Sequence, residues 1–274
     1  MKSFLSSKLP AAVLALVIAG FGATSTKAVT IDLTTGGTQT IGGAVFTTTE
    51  NQSTGTGIIN PFLRLQGNNN ETGLNSNEPN AKLLGDTKAG IWTHDITLGD
   101  LGTTTFDSTN YYVFLLDVNE NDSANGKLLS LDTFQLYTRS TSITDGVADT
   151  LATVQAGGNK RYDMDALAAT EVLLNYSLNN GSGSGDLFVY VPTSLFSADT
   201  NSSFLYLYTQ FGYKGVVGSR PNTIDYRSDA GFEEWATTKT KAQGHMVPDS
   251  GSTIALLGFG LTAAALIARR KKQA

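Results

Sequence analysis

Tyr111–Val118 (YYVFLLDV) is apolar on both of its faces, which predicts a central strand covered on both sides. Asn125-Gly126, a favoured hairpin pair, follows it and precedes Lys127–Thr138 (KLLSLDTFQLYT), a second predicted strand. Further strand-like runs are Ala89–Leu98, Glu171–Leu178, Asp186–Val191 and Phe204–Phe211. In the last of these, Phe204-Leu205-Tyr206-Leu207-Tyr208 puts aromatics on one face and leucines on the other. Asn179–Gly185 (NNGSGSG) reads as a flexible turn, and Asn68–Asn80 as a long polar loop poor in strand. Asp229–Ala236 (DAGFEEWA) reads as a short helix or as the closing strand. Short strands are also expected at Ile31/Leu33 and Ala44-Val45-Phe46. Strands recur with turn-rich links and no extended helical period, so the expected class is all-β. The expected architecture is a single β-sandwich or jelly-roll-like domain over residues 29–236.

Composition narrows the function. The 274 residues carry a formal charge of −5, but seven cations lie in the two terminal segments. Residues 29–249 hold 12 cations against 24 acids, a net charge of −12. A surface that acidic repels phosphate backbones, which excludes a nucleic-acid partner. The chain has no cysteine, so disulfides, thiolate metal sites and cysteine nucleophiles are excluded. Two histidines, His94 and His245, are too few for a multi-histidine metal site. The 29 glycines and dense Thr, Ser and Asn suit turns and strands.

The two ends read as address labels. Residues 1–28 have a basic start (Lys2, Lys8), an apolar stretch over Leu9–Phe21 and a small-residue end at Thr26-Lys27-Ala28. They read as a signal peptide cut by signal peptidase after Ala28; a permanent N-terminal anchor is the alternative, against which the apolar run is short for a span. Residues 237–246 (TTKTKAQG followed by His245 and Met246) are polar, without apolar pattern, and read as a linker. Residues 247–274 comprise Val247-Pro248-Asp249-Ser250-Gly251, an apolar helix over Ile254–Ala268, and the basic cluster Arg269-Arg270-Lys271-Lys272. Fifteen helical residues rise about 22 Å, short of a hydrocarbon core of about 30 Å. Snorkelling arginines would stretch the fit. The basic cluster keeps its end cytoplasmic, with the domain outside, and a tail anchor left in place is the plain alternative. Pro248 holds Val247 extended and Gly251 permits close backbone approach, so the motif is a peptide that a processing enzyme can grip.

The order of motif, short apolar helix and basic cluster resembles the PEP-CTERM class of sorting tails, and Val247–Gly251 match its VPDSG-CTERM variant. The resemblance implies recognition by an exosortase, a membrane enzyme that removes the helix after its transient insertion. It also implies export to the cell envelope, cell surface or extracellular matrix of a Gram-negative bacterium, in company with exopolysaccharide. A second likeness, to domains found beside such tails, lies in Phe114–Asn119, Leu129–Asp132, Asn175–Leu178 with Gly181–Gly185, and Gly231–Trp235. It implies fold and location, and no catalytic activity.

Chemistry is sparse. No G-x-S-x-G, H-E-x-x-H or phosphate-loop motif occurs. A triad would have to use His94, beside Asp95, and neighbours on a strand point to opposite faces. Glycoside hydrolysis needs two carboxylates at a set separation, but acids are too common here to nominate a pair, and adjacent Glu233 and Glu234 would diverge on a strand. Asp117, Asn119, Asn121 and Asp132 form a candidate calcium set of alternating oxygen ligands. It departs from the EF-hand pattern, with Asp122 at the sixth position and Leu128 at the twelfth, and a plain polar hairpin loop is the alternative. No other cofactor is indicated. Trp92, Trp235, Tyr111, Tyr112, Tyr206 and Tyr208 are candidates for stacking on sugars, or else core residues. Ten threonines within residues 30–57 fit ordinary β propensity or O-glycosylation. The expectation is a noncatalytic, structural or adhesive surface protein; a carbohydrate-binding module and a polysaccharide-active enzyme are the alternatives.

Overall fold

The computed structural model describes residues 28–48, 59–77, 92–123, 126–143, 150–179, 185–219, 222–229 and 231–238. The signal segment before Ala28, Asn125, the chain beyond Thr238 with its linker, sorting motif and basic cluster, and residues 180–184 of the glycine-serine turn lie outside them.

Among the described residues sixteen strands and one helix follow one another, beginning with β1 (Val29–Asp32), β2 (Thr38–Ile41), β3 (Ala44–Thr47), β4 (Ile59–Leu65), β5 (Glu71–Leu74), β6 (Ile96–Thr97), β7 (Gly102–Phe106) and β8 (Thr109–Asp117). Then come β9 (Leu128–Arg139), a single short helix α1 (Leu151–Gly157), β10 (Asn159–Asp163), β11 (Thr170–Asn175), β12 (Leu187–Pro192), β13 (Phe204–Phe211), β14 (Val216–Val217), β15 (Ile224–Asp225) and β16 (Glu233–Thr238). Thr150 caps α1, accepting from Thr153 N–H at 3.2 Å.

Fourteen of these strands form two seven-stranded sheets that pack as a sandwich, and β14 and β15 form a separate two-stranded ribbon. The first sheet runs β1-β11-β9-β13-β5, with β10 beside β9 and β6 beside β13. The second runs β2-β3-β12-β8-β16-β4, with β7 beside β8. β1 pairs with β11 in parallel, and the other ladders are antiparallel. Alternation decides which side chains enter the space between the sheets. Phe114 and Leu116 of β8, Leu129, Leu131 and Phe134 of β9, Val189 of β12 and Trp235 of β16 all join one buried cluster. Phe134 is its hub, 5.0 Å from Trp235, 5.6 Å from Phe114 and 6.0 Å from Phe46 between ring centroids. The outward face of β8 is buried too: Tyr111, Val113 and Leu115 pack with Phe188 and Tyr190 of β12. This explains why Tyr111–Val118 lacks a polar face.

Several expectations change. Asn125-Gly126 does not close a hairpin: β8 and β9 belong to opposite sheets, so the chain crosses the sandwich between them. The polar stretch Asn68–Asn80 contains β5, whose four residues are buried against β13. Gly73 makes this possible, because a Cβ there would lie 2.7 Å from the Leu65 side chain. Residues 89–91 of the run Ala89–Leu98 lie outside the described residues; of the rest only Ile96–Thr97 is strand, and a 3-10 turn over Leu98–Asp100 follows. The run Glu171–Leu178 is strand only to Asn175, then a 3-10 turn. The segment Asp229–Ala236, read as helix or closing strand, is strand from Glu233 onward, and that strand lies inside the sheet between β8 and β4. β16 runs on through Thr237 and Thr238, two residues into the stretch read as linker.

Candidate functional site

The four residues of the calcium set do not converge. Asp117 ends β8 on the outward side of the second sheet, in step with Val113 and Leu115. Asp132 is the extra residue of a bulge where β9 meets β13, since Thr133 pairs with Gln210 and Leu131 with Phe211. It lies on the outward side of the first sheet and accepts from Ser130 Oγ and Tyr213 N–H, both at 2.8 Å. The whole core separates the two aspartates. Asn119 donates to the carbonyl of Phe232 at 3.0 Å, and the Asn121 carbonyl accepts from Ser123 N–H at 2.7 Å. Among the described residues no three histidine or carboxylate side chains are grouped to hold a metal ion. Burial pushes the Asp132 carboxyl up to about 6, against the pull of its Ser130 and Tyr213 bonds, and the Glu171 charge adds to the rise.

Most of the nominated aromatics are structural. Trp235 and Tyr206 are fully buried and Tyr111 nearly so, while Tyr112 and Tyr208 are partly covered. Tyr206 Oη accepts from Ile143 N–H at 2.8 Å. Trp92 is exposed at 39 %, with the Arg64 guanidinium 5.1 Å from its ring, and Tyr213 at 46 % is a second exposed ring that the sequence reading did not single out. A groove of about 600 Å3 opens between edge strands β1 and β2 and the chain after β10. Leu33, Ile41, Met164 and Leu167 line it with Thr30 and Gln39, and no aromatic ring does. A sugar bound there would find no stacking platform.

Among the described residues no carboxylate or hydroxyl partners the His94 ring nitrogen Nδ1, which is buried. The neighbouring Asp95 is bonded to Ser142 Oγ and to Asn77 N–H. Burial raises the Asp95 carboxyl, and the Ser142 and Asn77 bonds oppose the rise.

The unexpected feature is a set of buried acids at one end of the sandwich. Glu71 and Glu233 are fully buried and their side chains meet, with Glu120 close by. Asp186 lies near Asp117 and accepts from Val118 N–H at 2.7 Å; burial raises its carboxyl to about 9, and the Asp117 charge adds to the effect. Glu233 and Glu234 do diverge: Glu234 turns to the opposite face, 3.3 Å from Arg64 Nε. A period of two supplies the signal that finds Glu233. If Trp235 is core, the residue two before it points the same way.

Ala28 lies at the start of β1, where Val29 N–H bonds to the Ala169 carbonyl at 2.8 Å. Among the described residues no helix is long and apolar enough to cross a membrane. No curated protein and no solved structure matches the chain. A family model of the VPDSG-CTERM motif matches residues 246–272, which contain the motif residues, the apolar run and the basic cluster. That motif implies export to the cell surface and processing by an exosortase-like enzyme. The chain is thus a β-sandwich protein that carries a PEP-CTERM-type sorting signal.

Proposed function

We propose that this protein is a noncatalytic component of the cell surface or extracellular matrix of a Gram-negative bacterium, structural or adhesive and associated with exopolysaccharide. A signal peptidase removes residues 1–28 and an exosortase-like enzyme cuts at the Val247–Gly251 motif while the following helix is briefly in the membrane. The observation that carries this reading is the sorting motif over residues 246–272. The sandwich supports it in that Phe114, Phe134 and Trp235 fill its core, Glu234 pairs with Arg64, and Asp186 accepts from a backbone N–H. Co-sedimentation with the host's own exopolysaccharide, run beside a reducing-end assay, tests it. The expected result is co-sedimentation without release of sugar ends. Hydrolysis of the polymer would replace this reading with the enzymatic one.

A carbohydrate-binding reading has one observation in its favour, the exposure of Trp92 and Tyr213. It requires that Trp92→Ala or Tyr213→Ala weaken sugar binding severalfold on a glycan array, because each stacked ring contributes about 1 kcal/mol or more.

A further inference from the structure

Glu71 and Glu233 reach each other from opposite sheets. β5 carries Glu71 at one margin of the first sheet, and β16 carries Glu233 inside the second. Glu71 Oε1 accepts from Gly67 N–H at 2.5 Å and from Ser228 Oγ at 2.8 Å. Its Oε2 has no donor in hydrogen-bonding geometry, nor has either oxygen of Glu233, whose own backbone N–H pulls weakly toward the ionised form. Both side chains are 0 % exposed, out of contact with bulk solvent.

The surrounding charges do not relieve the deficit. On β4, Arg64 is committed to Glu234 and lies 3.3 Å over the Phe232 ring. In the chain after β15, Arg227 is bonded to Asp225 and to Asn69 Oδ1, and Asp229 is exposed, its N–H bonded to Glu120. β13 presents the uncharged Phe211 opposite Glu71. Glu120, in the chain leaving β8, adds negative charge. Among the described residues no lysine or arginine forms an ion pair with Glu71 or Glu233.

An ionised carboxylate without donor or cation is far too costly in a protein interior, and two touching carboxylates do not both ionise. We propose that Glu233 is held protonated at neutral pH and donates its O–H to Glu71 Oε2, forming a proton-dependent clasp between the two sheets. The clasp sits on the last strand before the chain leads into the sorting tail. Burial, the bond to Glu71 and the charges of Glu71 and Glu120 all move the Glu233 carboxyl well above its ordinary value. A carboxyl raised on folding contributes stability that is complete below the ordinary carboxylate range and is lost as pH rises toward the folded value. The bond neither forms nor breaks covalently, and only the proton exchanges with solvent when the domain opens.

The test uses the full chain in a mild detergent. Infrared spectra at pH 7 should contain the carbonyl stretch of a protonated carboxyl that shifts on glutamate carbon-13 labelling and disappears in Glu233→Gln. Melting temperature of the wild type should fall by about 3–5 °C per pH unit while the pair titrates. Glu233→Gln, which keeps a donor without a titrating group, should remove that share of the slope. Absence of the labelled band from the wild type, or an unchanged slope in Glu233→Gln, overturns the proposal. So does a calcium-induced rise in melting temperature that Glu233→Gln abolishes, since the pair would then hold a metal ion. The labelled spectrum needs no variant and reads the proton even if Glu233→Gln fails to fold.

Discussion

Trp235 and Glu233 lie two residues apart on β16, point into the same interior and are both fully buried. Around Trp235 the space is filled by Phe134 and Phe211, and its stability is the transfer of rings out of water. Around Glu233 it is filled by other acids, and stability there is conditional on protons. The aromatic centre should therefore be indifferent to pH, and the acid end should tighten as pH falls from 9 toward 5. One strand thus contributes to both regimes, and substitutions on either side separate them.

The largest effect expected is at the hub. Phe134→Ala leaves a void among Phe46, Phe114, Tyr162 and Trp235 and should cost about 3–5 kcal/mol at every pH, measured by denaturant unfolding. A cost that varied with pH would erase the distinction drawn above. Next is Gly231→Ala, at the acid end. Gly231 has φ +81°, and a Cβ there would lie 1.7 Å from the Asn119 carbonyl oxygen. The substitution should cost about 3 kcal/mol by combining left-handed strain with displacement of the Asn119–Glu120 backbone. A neutral outcome would show that this close approach does not hold the acid end in place.

Asp186→Asn sharpens the comparison through pH. Its carboxyl is raised to about 9, so in the wild type its contribution is full below the ordinary aspartate range and is lost as pH rises to about 9. The variant should melt closer to the wild type at pH 5 and higher than it at pH 9. The reverse order at pH 9 would mean that Asp186 is ionised in the fold. Smallest is Lys160→Ala. Its ion pair with Asp163 at 2.6 Å is half exposed on the lysine side, and its loss should cost at most about 0.5 kcal/mol. A larger loss would move part of the stability to the surface.

The legibility of the chain follows the same division. β8, β9, β12 and β13 are readable because each carries enough apolar residues to declare a strand alone. β5 (ETGL) and β2 (TQTI) are not, because neighbouring strands hold them by backbone register and their own side chains carry little pattern. Asn125-Gly126 misled because a turn preference is local, whereas the choice between hairpin and crossing depends on which sheet Leu128–Arg139 completes. The calcium set failed to assemble for a related reason: proximity in sequence at Asp117–Asp132 became opposite faces of a sandwich. Glu233 was hidden because charge is ordinarily a surface signal, and the stronger cue was its spacing from Trp235. The sorting motif was legible because it is one contiguous stretch, residues 246–272, and needs no tertiary partner to be read.

The central claim is that Val247–Gly251 is a cutting signal behind an exported β-sandwich. Intact-mass measurement of the protein recovered from the surface of its host tests it most directly. The account predicts a species that begins near Val29 and lacks the apolar helix with Arg269-Arg270-Lys271-Lys272. A surface-recovered species that keeps those four basic residues would contradict it.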